Sequence, residues 1–154
     1  MKHALSVALT SVALVLTGAV PALAQQAAEP LVIKSGDKSH SFQVKVITTK
    51  PEAEKGLAGH APLAKGEGVV IDYRKVGEPM TPTMKGVTFD LDLLYLAPDG
   101  TIVGIVKGAR AGSLRPLWTG MNSVMVLEIP AGQVAELGIK TGDKASAKVT
   151  GNAG

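Results

Sequence analysis

Residues 91–106 read Leu91-Asp92-Leu93-Leu94-Tyr95-Leu96-Ala97-Pro98-Asp99-Gly100-Thr101-Ile102-Val103-Gly104-Ile105-Val106. Two apolar runs of strand length flank Pro-Asp-Gly, with Pro and Gly in positions that a tight turn favours. The stretch predicts a β-hairpin, and its neighbours extend it into a sheet. Upstream, residues 68–73 (Gly-Val-Val-Ile-Asp-Tyr) read as a strand, and residues 77–86, with Pro79 and Pro82, as a loop. Further back, Leu31-Val32-Ile33 and the alternation of Phe42, Val44 and Val46 with Gln43 and Lys45 frame a hairpin around Ser35-Gly36-Asp37-Lys38. Thr49-Lys50-Pro51-Glu52 has capping-box spacing, with proline in the first turn, where its missing donor is not needed. That helix is short, because Gly56 and Gly59 weaken it. Downstream, residues 108–120 are loop-like and residues 124–129 form a strand. Pro130-Ala131-Gly132 turns into a helix over residues 133–137 that Gly138 ends, and residues 145–149 form a final strand. The sum is a mainly β (α+β) domain of six to seven strands with two short helices, a small curled sheet or barrel-like fold.

The ends of the chain read differently. Lys2 and His3 precede an apolar run to Val20, then Pro21 and Ala22-Leu23-Ala24, the three-part pattern of a secretory signal peptide with an A-x-A cleavage site. The expected organisation is a signal peptide over residues 1–24, a flexible leader over 25–30, one β-rich domain over 31–150 and a disordered tail over 151–154. The protein is expected in the periplasm or secreted, after cleavage near Ala24, with no membrane span thereafter. The chain holds no cysteine. That excludes both lipoprotein modification at the cut and disulfides, which an oxidising compartment would permit. The net charge is only +3, the basic residues are scattered, and aromatic residues are few. A nucleic-acid surface needs clustered charge and stacking rings, so nucleic acid is not an expected partner.

Several segments, in order, carry a family pattern. Gly56-Leu57-Ala58 precedes Gly68-Val69-Val70-Ile71; Met84-Lys85 follows, then Leu91-Asp92-Leu93, then Val126-Leu127-Glu128 with Gly132, and last Gly142-Asp143. In this order and spacing the chain resembles the domain-of-unknown-function 192 family over about residues 44–149. Thr83 stands where that family usually has Trp, Gly86 where it has Asn, Val87 where it has Thr, and Asp90 where it has Pro. The resemblance implies an export signal followed by one β-rich domain. It implies no established activity.

Four residues form the candidate ligand site: Met84, Lys85, Asp92 and Glu128. Asp92 shares a strand face with Leu94 and Leu96, and a carboxylate buried there must be paired and hydrogen-bonded. Lys85, or an amide of the preceding loop, is its expected partner. The plainer reading is a structural ion pair that pins the Met84-Lys85 loop to the sheet. The functional one is a polar pocket of Lys85, Asp92 and Glu128 for a sugar or another small polar ligand. Two carboxylates, Asp92 and Glu128, could also serve an envelope hydrolase if correctly separated. The methionines give another alternative. Met80 and Met84, like Met121 and Met125, are spaced Met-x-x-x-Met, and soft thioethers select Cu(I). Methionine is also a common core filler. Covalent catalysis has little to work with, since there is no Gly-x-Ser-x-Gly elbow and no cysteine. Trp118 is expected to cap the core. The function expected is a non-enzymatic binding or accessory module of the cell envelope without a cofactor, its partner a small polar ligand or an envelope protein; a copper protein is the alternative.

Overall fold

The structure, a computed structural model, describes residues 27–77, 81–117 and 122–151. The expected signal peptide, residues 25 and 26 of the leader, Met80, Trp118, Met121 and residues 152–154 of the tail lie outside the described residues. Among the described residues there are seven strands: β1 (Glu29–Ser35), β2 (Lys38–Ile47), β3 (Glu67–Asp72), β4 (Leu91–Leu96), β5 (Ile102–Ala109), β6 (Met125–Pro130) and β7 (Lys144–Ala147). Three short helices join them: α1 (Lys50–Lys55), α2 (Tyr73–Val76) and α3 (Gln133–Leu137).

The strands form one sheet in the order β5-β4-β6-β3-β2-β1-β7. Every pairing is antiparallel except β2 with β3, which run parallel. A parallel neighbour needs a crossover, and the segment containing α1 supplies it. The sheet curls until its two edge strands approach. Thr101, just ahead of β5, bridges Lys144 of β7. Ala145 N donates to Gly100 O at 2.9 Å, and Ile102 N to Asp143 O at 2.8 Å. The result is a curled half-barrel, and the seam uses backbone groups that an edge would otherwise leave open.

The curl gives the sheet two cores. Leu31, Phe42, Leu94, Ile102, Leu127 and Ala145, drawn from strands right across the sheet, pack together on the inner face. Val69, Ile71, Leu91, Leu93, Tyr95 and Val126 pack on the outer face, beneath Leu57, Met84 and Val87 from the crossover and the loop before β4. β4 is therefore buried at every position, which is why its sequence runs apolar without alternation.

Several boundaries differ from the sequence reading. β1 opens at Glu29, ahead of Leu31. β5 continues to Ala109, with a register irregularity against β4 between Leu91 and Leu93. β7 stops at Ala147, because Thr150 turns back and its hydroxyl bonds both the Ala147 N–H, at 2.9 Å, and the Ala147 carbonyl, at 2.8 Å. The third helix, α2, lies where a strand end was expected. Asp72 caps it by accepting from Arg74 N at 3.1 Å, and Gly77 closes it in the left-handed region. At α1, Thr49 donates to the Glu52 carboxylate at 2.7 Å and caps no backbone amide, so the expected capping box is a bond between side chains.

Gly100 belongs to the closing seam. Its φ is +83°, and a Cβ there would lie 2.1 Å from the Ala145 carbonyl oxygen. Gly112, with φ +70°, has open space around it. Gly100→Ala is expected to cost at least about 2 kcal/mol in urea unfolding, and Gly112→Ala only about 1 kcal/mol. Equal costs would contradict a seam packed backbone against backbone.

Candidate functional site

Glu128 sits in the middle of β6, opposite Leu93 on β4 and Val69 on β3. Residues directly opposite in antiparallel strands share a face, so Glu128 points to the outer face with both. It is 7% exposed. No described residue hydrogen-bonds its carboxyl. A pocket of about 350 Å³ opens over it, with Leu57, Ile71, Met84, Val87 and Leu91 among its walls. Burial without a partner disfavours the charged form and pushes the Glu128 pKa from 4.5 up to about 7.

Two tyrosines frame this acid. Tyr95 follows Leu91 and Leu93 on the outer face of β4, and its hydroxyl donates to the Leu117 carbonyl. Tyr73, the first residue of α2, lines the pocket, and no described residue bonds its hydroxyl. Burial first, then the nearby Glu128 charge, raises both phenols well above their usual range. At the mouth stand Lys55 and Glu54 of α1 and Lys85 of the loop before β4, all exposed. Neither lysine ammonium has an ion-pair partner among the described residues.

The loop forms a wall because its backbone is pinned. Met84 N donates to Ser113 O at 2.9 Å, Gly112 N to Val87 O at 2.9 Å, and Gly59 N to Gly86 O at 3.1 Å. Gly86 has φ +73°, and a Cβ there would lie 3.0 Å from that of Ala58. Glycine meets both demands of the position, a left-handed backbone and a close neighbour.

The structure brings Met84, Lys85 and Glu128 together around this pocket and places Asp92 elsewhere. Asp92 lies opposite Ile129 and points to the inner face. Its carboxylate accepts from Gly108 N at 2.8 Å, Gly132 N at 2.9 Å and Val134 N at 3.0 Å. Backbone amides of β5 and of the turn into α3 therefore satisfy it, in place of the expected Lys85 or an amide of the loop before β4. Among the described residues no ion pair pins the Met84-Lys85 loop; buried Met84 and the backbone bonds hold it. Asp92 and Glu128 stand on opposite faces of the sheet, so they cannot act together on one glycosidic bond as the hydrolase reading required. Of the four methionines in the copper alternative, Met84 packs in the outer core and Met125 in the inner one. Met80 and Met121 are outside the described residues. The sequence reading missed Tyr73, Tyr95 and Lys55. Tyr95 was detectable as the third residue of the alternation Leu91, Leu93, Tyr95.

A neighbouring cleft of about 450 Å³ runs along the other side of Lys55, Gly56 and Leu57. It is the larger of the two, but its carboxylates are exposed and already engaged. Glu52 bonds Thr49 and lies 3.9 Å from Lys45, and Glu67 accepts from Ala64 N at 2.8 Å. The smaller pocket is the better candidate because its floor carries an acid with no partner among the described residues.

The two buried acids predict opposite mutational effects. Folding raises the Glu128 pKa, so the acid's contribution is complete below pH 4.5 and is lost as pH rises through about 7. The decline amounts to about 3 kcal/mol. Glu128→Gln should therefore unfold in urea with a markedly flatter pH dependence between pH 4.5 and neutrality; an unchanged slope would contradict an uncompensated acid. Asp92→Asn should cost about 3 kcal/mol through the loss of charge-assisted amide bonds. Wild-type stability in that variant would contradict its structural role.

The comparisons with known proteins agree with this architecture. A protein of unknown function from Novosphingobium aromaticivorans DSM 12444 is 28% identical and superposes with a TM-score of 0.71, covering 76% of this chain and 83% of its own. A protein from Sinorhizobium meliloti 1021, described as a candidate transcription regulator, is also 28% identical, with a TM-score of 0.75 over 80% of this chain and 96% of its own. No curated protein matches. The model of the DUF192 family, described as "Uncharacterized ACR", matches residues 31–147, and the chain belongs to that family.

Proposed function

We propose that the protein is an exported, non-enzymatic binding module of the cell envelope that holds a small polar ligand in the Glu128 pocket. The observation that carries this reading is the Glu128 carboxyl, 7% exposed and without a partner among the described residues, on the floor of a pocket of about 350 Å³. An unmet buried acid costs the fold stability, and a ligand that bonds it recovers that cost. A concave, mostly apolar site with a few convergent polar groups is the usual form of a small-molecule site. Binding is favoured over the paired-carboxylate hydrolase because Asp92, the second acid of that reading, is bound to three amides on the other face. Export is supported by the signal-peptide pattern of residues 1–24. No helix among the described residues is long and apolar enough to cross a membrane. The copper alternative gains nothing from Met84 and Met125, which the sheet separates.

The test starts from cells expressing the full chain. The protein recovered from the envelope fraction should begin at Gln25 by mass spectrometry. The small-molecule fraction of an envelope extract should raise its unfolding midpoint, since a ligand bound only to the folded state stabilises it by about 2.7 kcal/mol at a hundred times its Kd. Glu128→Leu should abolish that rise. An intact Met1 in the cytoplasm would contradict export. A rise that survives in Glu128→Leu would contradict the site.

A further inference from the structure

We infer that the ligand is a small zwitterion, its ammonium end seated on Glu128 and its carboxylate end held at the mouth by Lys55 and Lys85. This rests on the Glu128 pocket being a binding site and names the chemistry that fits it.

The pocket has opposite signs at its two ends. An ionised Glu128 offers several acceptor sites, and no described residue fills any of them. Leu57, Met84 and Leu91 among its walls are apolar and buried, and Tyr73 adds a hydroxyl that no described residue bonds. An ammonium group brings three donors and the opposite charge, and charge-assisted bonds are about twice as strong as neutral ones. A hydroxyl would bond the acid but leave its charge uncompensated. Among the described residues the mouth carries two lysines, Lys55 and Lys85, against one acid, Glu54. Neither lysine is paired among the described residues.

Each half of such a ligand is disfavoured alone. A simple alkylamine reaches Glu128 but passes the lysines with no anionic end to satisfy them. A simple carboxylate meets the lysines but drives its apolar tail toward an uncompensated acid. A molecule with an ammonium at one end, a short alkyl spacer and a carboxylate at the other satisfies both ends at once. The span between floor and mouth selects the spacer, so affinity should peak at one chain length.

Isothermal titration of the wild-type protein tests this with a series of α- and ω-amino acids of increasing length, the matched alkylamines and carboxylates, and neutral sugars. One amino acid length should bind at least about tenfold more tightly than its matched amine or carboxylate. Glu128→Gln should weaken that amino acid by about tenfold or more, the loss of one buried charge-assisted contact. The double variant Lys55→Gln, Lys85→Gln, exposed and so expected to fold, should weaken it by about threefold, in keeping with exposed pairs, and should leave the amine unaffected or tighter. An amine that binds as tightly as the amino acid would overturn the inference, as would a lysine variant with unchanged amino-acid affinity. A sugar that binds in a Glu128-dependent way, with no amino acid binding, would overturn the zwitterion and leave the pocket reading standing. Absence of Glu128-dependent binding by any of these compounds would overturn both.

Discussion

Asp92 is the interaction on which the architecture turns. Its carboxylate accepts three backbone amides, from Gly108 on β5 and from Gly132 and Val134 at the start of α3. One side chain thus fastens the edge strand β5 and the helix to β4, inside a core that would reject an unpaired charge. With α3 held, the chain is directed toward β7, and β7 closes the half-barrel against the Gly100–Thr101 turn. The curl leaves an outer face that the crossover and the loop before β4 cover. The gap between those two coverings is the pocket.

Glu128 shows the same chemistry left incomplete. It is buried like Asp92, though less deeply, one strand away, yet no described residue on the outer face offers it an amide. Packed cores seldom tolerate such a group without a reason in function. The acid on the inner face is satisfied, whereas the one on the outer face has no partner among the described residues and lines a pocket with Lys55 and Lys85 at its mouth. Sheet rigidity around Glu128, with Leu93 and Val69 fixed on either side, holds the carboxyl in place before any ligand arrives.

Much of this was legible in the sequence, and the failures have identifiable causes. The hairpin at residues 91–106 could be read because its turn residues and apolar runs agree locally. α3 could be read because Gly138 marks its end. The helix α2 was missed because its cap, Asp72, is also the last residue of a strand, and a four-residue helix has no periodicity to show. The site was half legible. That Asp92 shares a face with Leu94 and Leu96, and Glu128 with Val126, follows from strand parity. Whether the two acids meet depends on register, which pairs Glu128 with Leu93 and not with Asp92. A one-residue slip reverses the answer, and sequence alone does not fix the register between strands so far apart in the chain. Lys85 or an amide of its loop was the expected partner of Asp92 from charge and chain order, whereas the amides that bond it come from β5 and the start of α3 and the loop is secured by its backbone. Gly86, where the resemblance expects Asn, has a left-handed backbone, a conformation open to both residues.

The central claim is that Glu128 is a buried, unpartnered acid on the floor of an open pocket. Titration of its side-chain carboxyl by carbon-13 NMR, with Glu128→Gln to assign the resonance, tests that claim directly. The account predicts one glutamate carboxyl titrating near pH 7, with a midpoint that falls when an ammonium-bearing ligand binds. A Glu128 resonance that titrates near pH 4.5, as an exposed or hydrogen-bonded glutamate does, would contradict it.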